Sequence, residues 1–241
     1  MSDDGRYRER RSAGVAGTVW TRTTDGSSHW VLPDGCLDVI WDGHELAVAG
    51  PDTGPNPSAL PAGTSLVAVR FDSGVGPAVL GFPADAVRDE RVPLADLLPG
   101  DEVERLADSL DAAGGTDADR RLERWAAARL AAGSGPDGAM QQVVELLDDG
   151  VRVAEVADAV SLGERQLHRR SLAAFGYGPK VLARIRRLQR ALALARDGTA
   201  FARTAADAGY ADQAHLAREV RALAGRPLGR LVGSRTSGPT R

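Results

Sequence analysis

Residues 154–176 read AEVADAVSLGERQLHRRSLAAFG, and residues 202–225 read ARTAADAGYADQAHLAREVRALAG. The second stretch repeats the pattern of the first. Ala157 corresponds to Ala205, Leu167 to Leu216, Arg169 to Arg218 and Gly176 to Gly225. The offset is 48 residues before the turn and 49 after it, so the second copy has one extra residue in its turn. Each copy predicts a short helix, a tight turn and a longer helix with Arg, Gln and His on its outer side. This is the pattern of a helix-turn-helix, whose second helix can enter the DNA major groove.

Between the copies runs GPKVLARIRRLQRALALARDG, with Leu182, Ile185, Leu188, Leu192 and Ala195 on one helical face. Pro179 opens this segment and Gly198 closes it, which predicts one continuous helix. About 18 residues at 1.5 Å each span roughly 27 Å. Successive major grooves on one face of B-DNA lie about 34 Å apart, so a stiff connector of this length suits two readers on one face. MQQVVELLDD predicts a further helix before the first copy, and AAGSGPDG over residues 131–138 reads as a linker.

Charge divides at the same place. Residues 139–241 carry a net +7 and residues 1–138 a net −10. Lys180 is the only lysine, so composition bias explains arginine over lysine. It does not explain why the positive excess sits in one half, which favours a polyanionic partner for that half.

In the first copy, Val153, Val156, Ala157 and Val160 form the apolar face of the support helix, and Leu167 and Phe175 anchor the second helix. Arg165, His168 and Arg169 then share one outward face. Arginine can hold guanine O6 and N7 together, which discriminates by about 1–3 kcal/mol. In the second copy Asp212 is placed to cap the reader helix, and Gln213, Ala217 and Arg218 face outward if Leu216 faces in. Glutamine can pair with adenine, and an Ala methyl can meet thymine. The direction of His215 stays open. Lys180, Arg184, Arg187 and Arg226 are candidates for phosphate contacts, which fix register without reading sequence.

The front half looks β-rich. GVAGTVWTR, HWVL, CLDVIW, ELAVAG and LVAVRF are short strand-like runs, while residues 51–63, PDTGPNPSALPAG, read as a loop. From residue 76 the texture turns helical, broken at Pro83 and Pro93, and EVERLADSL and DRRLERWAAARLAA predict two amphipathic helices. With one cysteine, Cys36, no intrachain disulfide forms, which fits a reducing cytoplasm. The opening residues lack an apolar leader and no run reaches the ~20 apolar residues of a membrane span.

VAEVADAVSLGERQLHRR, FGYGPKVLARIRRLQRALAL and AADAGYADQAHLAREVRALAGRP together resemble the DNA-binding domain of AraC-type transcription regulators. The resemblance implies seven helices, with two helix-turn-helix units joined by a central helix. By family position it assigns base reading to Arg165, His168 and Arg169 in the first unit, and to Gln213, Ala214 and Arg218 in the second. Ser161 stands where the first turn often has Gly, and Ser171 where the core usually has Phe. The last turn, GRP, is one residue shorter than Gly176-Tyr177-Gly178-Pro179. LPDGCLDVIW, AVAGP, LVAVRFDSGVGPAVLGFPADAV and VPLADL resemble an uncharacterised N-terminal domain found fused to such readers.

The expectation is therefore an α+β chain. Residues 1–132 form a β-rich, barrel-like sensor or dimerisation domain with trailing helices. Residues 139–233 form an all-α tandem helix-turn-helix domain. The expected function is a cytoplasmic, sequence-specific regulator that binds double-stranded operator DNA. It is not an enzyme and carries no cofactor or metal. A small-molecule effector, a homodimer and a contact with RNA polymerase are open partners.

Two alternatives stand beside it. One is a thiol-based, methyl-accepting enzyme at Cys36, though no further cysteines accompany that residue to activate the thiol. The other is an interaction adaptor with a helical bundle that no longer binds DNA, suggested by Ser171. His29, His44 and Glu45 show no recognised metal-ligand spacing, and Trp20, Trp30 and Trp41 are read as core more readily than as a ligand pocket.

Overall fold

The computed structural model describes residues 7–113 and 117–233; part of the chain's opening stretch thus lies outside the described residues. Eight strands occupy the front: β1 (Tyr7–Arg11), β2 (Gly17–Thr23), β3 (His29–Val31), β4 (Leu37–Trp41), β5 (Leu46–Ala49), β6 (Asn56–Ser58), β7 (Ser65–Phe71) and β8 (Arg91–Pro93). Six make one antiparallel sheet in the order β1-β2-β7-β4-β5-β8, and β3 pairs with β6 as a separate ribbon. The sheet is open rather than barrel-like, because β1 and β8 are its edges and do not pair. β6 forms inside the stretch expected to be a loop. It tolerates Pro57 because the ribbon needs hydrogen bonds on one side only.

Strand alternation decides the two faces of the sheet. In β4, Leu37, Val39 and Trp41 are buried, while Asp38 and Ile40 point the other way. On the first face the sheet packs against α1 (Gly76–Leu80), α2 (Gly100–Asp111) and α3 (Ala118–Ala132). Val103, Leu106 and Leu110 of α2 and Ala118, Leu122 and Ala126 of α3 supply its helical stripes. Arg129 ties the layer together. It donates to Glu102 at 2.6 and 2.8 Å and to the carbonyls of Val79 and Leu80 at the end of α1.

Trp20, Trp30 and Trp41 do not share one core. Trp41 lies in the sheet–helix core, Trp20 faces the opposite side of the sheet, and Trp30 sits on the β3–β6 ribbon. Alternation separates them: Trp20 and Trp41 occupy opposite phases of their strands.

Seven helices follow: α4 (Gly138–Asp148), α5 (Val153–Ala159), α6 (Glu164–Phe175), α7 (Pro179–Arg196), α8 (Phe201–Asp207), α9 (Gln213–Ala224) and α10 (Leu228–Gly233). Asp137 caps α4, accepting from the Ala139 and Met140 N–H groups at 3.0 and 3.3 Å. The connector α7 belongs to two cores. Its Leu182 and Ile185 pack with α4, α5 and α6, and its Leu188, Ala191, Leu192 and Ala195 pack with α8, α9 and α10. Among the described residues, no helix is long and apolar enough to cross a membrane.

Glu123 on α3 anchors the first strands. Arg10 approaches it at 2.7 Å, and Ser12 Oγ and the Ala13 N–H donate to it at 2.6 and 2.7 Å. Arg10 first, then Ser12 and Ala13, hold its carboxyl down to about 2. A depressed carboxylate stabilises the fold above its unfolded value near 4.5 and loses that contribution as pH falls toward 2. Glu123→Gln is expected to cost about 1–2 kcal/mol at neutral pH and to flatten the stability curve between pH 4.5 and 2, as read by urea titrations at several pH values.

Candidate nucleic-acid interface

The two helix-turn-helix units superpose in sequence to the residue. α5 and α8 run between corresponding residues 48 apart, and α6 and α9 between corresponding residues 49 apart. Even the turn hydrogen bonds repeat. Ser161 N–H donates to Asp158 O and Leu162 N–H to Ala157 O, at 3.0 Å each. Gly209 N–H donates to Ala206 O at 3.1 Å and Tyr210 N–H to Ala205 O at 2.8 Å. The chain then needs a left-handed residue in each turn. Gly209 takes it at φ 81°, and Ser161 takes it at φ 54° against the cost of its Cβ. Both reader helices also end on a left-handed glycine, Gly176 and Gly225, whose N–H groups close on Leu172 O and Arg221 O.

The inserted residue of the second turn is Ala211. Its N–H donates to His215 Nδ1 at 3.3 Å, and the His215 ring meets Tyr210 edge-on at 5.3 Å. His215 is therefore employed in stabilising the turn. Asp212 Oδ1 accepts from the His215 N–H at 2.6 Å, as an N-cap should. The first unit has Gly163 there instead, and Gln166 Oε1 reaches back to the Gly163 N–H at 3.3 Å.

The anchors also correspond. α6 buries Leu167, Ser171, Ala174 and Phe175, and α9 buries Leu216, Val220, Leu223 and Ala224. Ser171 takes the place of Val220. It is fully buried, and its hydroxyl lies 4.0 Å from Met140 Sδ rather than on a carbonyl one turn back. Met140 of α4 packs in the same core, so the short side chain leaves its neighbours a flexible thioether to lie against.

Arg165, His168 and Arg169 of α6 and Gln213, Ala214 and Arg218 of α9 are all exposed. The His168 ring lies over the Gly178 backbone at the start of α7, where an added Cβ would come within 2.7 Å of Nδ1. Most other arginines of this half are engaged. Arg170 pairs with Asp137, Arg186 with Asp148, Arg152 with Glu155 and Arg203 with Asp207. Arg165, Arg169 and Arg218 form no ion pair among the described residues.

The residues read as phosphate contacts separate into two groups. Lys180 is exposed. Arg184 instead donates to Glu219 on α9 at 2.8 and 3.2 Å, bracing the connector against the second reader. Arg187 lies 5.4 Å over the Tyr210 ring, whose hydroxyl burial pushes up to about 12. Arg226 lies 5.0 Å over Trp30 of the β3–β6 ribbon. These partners were not legible because they are remote in sequence.

Burial first, and the nearby Asp34 second, push the Cys36 thiol well above its ordinary value, which disfavours the thiolate. His29 Nε2 lies 3.0 Å from Ser27 Oγ and 3.5 Å from Asp25, and no cluster of three or more metal-ligating side chains occurs among the described residues.

Two exposed, unpaired arginine-bearing helices held by one connector define a tandem helix-turn-helix DNA-binding protein. Comparison with known families agrees. Residues 156–232 match the family described as Helix-turn-helix domain, and residues 16–93 match a Domain of unknown function (DUF6597). Residues 156–232 thus form an AraC-type helix-turn-helix domain, which supports DNA binding, and residues 16–93 a DUF6597 domain in front of it. No curated protein sequence matches it. Solved structures of ToxT from Vibrio cholerae are similar. The strain O395 protein has a TM-score of 0.47 and 10% identity, over 98% of this chain and all of that one. The unsaturated fatty acid bound protein of strain SCE256 has a TM-score of 0.47 and 9% identity, over 98% and 93%.

Because Ser161 occupies a conformation that Gly209 fills without strain, Ser161→Gly is expected to raise stability by up to about 1 kcal/mol, the left-handed cost less the greater freedom of unfolded glycine. Ser161→Val is expected to lower it. Thermal denaturation of the three proteins checks both.

Proposed function

We propose that α6 and α9 read two successive major-groove segments of a double-stranded operator, with Arg165, His168 and Arg169 facing bases in the first and Gln213, Ala214 and Arg218 in the second. The observation that carries this reading is the selective pairing of charge. Arg170, Arg184 and Arg186 are neutralised by carboxylates where they brace helices, whereas Arg165, Arg169 and Arg218 on the two reader faces form no ion pair among the described residues. Unpaired cations on exposed helices attract a polyanion and release its counterions.

In this reading residues 139–233 form the DNA-binding domain, and Lys180 holds a phosphate. Arg187 and Arg226 reach phosphates only by leaving Tyr210 and Trp30, and Arg184 acts mainly by positioning α9. Residues 1–132 sense an effector or join two copies, and the protein works in the cytoplasm. A homodimer and an RNA polymerase contact are compatible with it.

Operator fragments selected from genomic DNA supply the test, with binding measured by gel shift. Arg169→Ala and Arg218→Ala are each expected to cost about 1–3 kcal/mol on the selected site and to relax preference at separate base steps. Lys180→Ala should weaken all sequences equally and lower the salt slope by about 1. If the double variant Arg169→Ala with Arg218→Ala binds the operator like the natural protein, the reader assignment is wrong.

A further inference from the structure

The two helix-turn-helix units share α7. Among the described residues it is the one helix whose side chains enter both cores of the helical half, Leu182 and Ile185 in one and Leu188, Ala191, Leu192 and Ala195 in the other. Two bodies joined through a single helix keep freedom to bend and twist about it, and relative motion is the default where the shared packing is small. On DNA that freedom decides what is accepted. One base pair adds about 3.4 Å and about 35° between two segments of a duplex. Readers that give by that much bind operators of several spacings; readers that do not give bind one.

A second connection between the readers lies in the front half. Pro51 Cγ stands 2.5 Å from where a Cβ on Gly176 would lie, and Pro55 Cγ stands 3.3 Å from that of Gly225. Gly176 and Gly225 are the equivalent end-caps of α6 and α9, so one stretch meets both readers at the same point of the repeat. The four steps of chain from Pro51 to Pro55 reach at most about 14 Å, so the link is short. Arg88 adds to the first contact, its Nη1 donating to Gly176 O at 3.0 Å. Beyond Pro55 the stretch enters the β3–β6 ribbon, whose Trp30 lies under Arg226, the residue after Gly225.

The stretch is built stiff. Gly50 N–H donates to Glu90 O at 3.0 Å, and Asp89 N–H donates to Pro51 O at 3.3 Å. Arg91 donates to both carboxylate oxygens of Asp52, at 3.0 and 2.6 Å. Asp89 accepts from the Thr53 N–H at 2.6 Å and from Thr53 Oγ1 at 3.0 and 2.9 Å. Prolines at 51, 55 and 57 fix φ along the way. Asp89 itself sits at φ 60°, a left-handed conformation that a residue other than glycine keeps only where its surroundings impose it. Connecting loops are ordinarily mobile and lightly tied. Here each residue from 50 to 53 is bonded to residues 89–91.

We propose that residues 50–57, clamped by residues 89–91, are a strut that fixes α6 relative to α9, and that through it the front half makes the protein discriminate operators by the spacing of their two segments. Pro51, Pro55 and Asp89 are its positioning residues and touch no base. The spacing limb rests on the DNA-binding reading above; the strut itself does not.

Two loosened variants of the full chain test it. Asp89→Gly keeps the left-handed backbone and removes the carboxylate, and Pro51→Ala with Pro55→Ala removes both ring contacts. Asp89→Asn keeps an acceptor for Thr53 and serves as the conservative control. For the strut, nitroxides are attached at Glu164→Cys and Gln213→Cys, corresponding residues at the starts of α6 and α9, in a Cys36→Ala background, and their separation is read by double electron–electron resonance. The chain with an intact strut is expected to give one narrow distance distribution. Each loosened variant should widen it by about 3 Å or more, the rise of one base pair, and Asp89→Asn should leave it narrow. Distributions that stay narrow in both loosened variants, with folding confirmed by circular dichroism, overturn the strut. For the spacing limb, gel shifts compare the selected operator with one lengthened by a base pair between its two segments. The natural protein should lose at least about tenfold on the longer operator, the worth of one bidentate contact, and the loosened variants less than about threefold. Loosened variants that weaken on both operators alike keep the natural ratio and overturn that limb, as does a natural protein that binds both operators equally. A natural protein that binds no operator at low salt overturns the DNA-binding reading and the spacing limb together, while the label distances still decide the strut.

Discussion

One apolar stripe holds the reading half together. α7 contributes Leu182 and Ile185 to one core and Leu188, Ala191, Leu192 and Ala195 to the next, so neither helix-turn-helix unit is complete without it. A short three-helix unit buries too little surface to be stable alone. Sharing a helix solves that problem, and it also fixes the angle and distance between the two reader helices. Arg184 reinforces the arrangement by bridging α7 to Glu219 on α9. The mutual placement of the readers is thus a consequence of core packing and does not wait for DNA.

The front half adds a second hold on the same geometry. Arg88 Nη1 donates to the carbonyl of Gly176 at 3.0 Å, Gln141 Nε2 donates to Ser73 O at 3.2 Å, and prolines of one loop lie against both reader end-caps. Close approach at Gly176 and Gly225 requires the missing side chain as much as the left-handed backbone does. The glycines that end the readers are therefore also the points where the front half touches them.

The repeat was legible because apolar positions at helical spacing, an arginine and a closing glycine recur together in both copies. The connector and the outward face of the reader arginines followed from that spacing. The partners of Arg184, Arg187 and Arg226 did not, because Glu219, Tyr210 and Trp30 lie far along the chain and an exposed arginine looks the same in sequence whether braced or free. In the front half, runs with β-branched alternation such as LVAVRF were readable as strands. β1 (YRERR), β6 (NPS) and β8 (RVP) were not, since they owe their strand state to the partner beside them. Asp38 is an acid in an otherwise apolar strand, and only the sheet register brings its partners Arg70 and Trp20 beside it.

Hydroxyl-radical footprinting of the full chain on its selected operator tests most directly whether packing around α7 sets the spacing of the readers. Two protected segments about one helical turn apart, on the same face of the duplex, are the predicted result. Protections on opposite faces, or a single protected segment at saturating protein, would contradict the account.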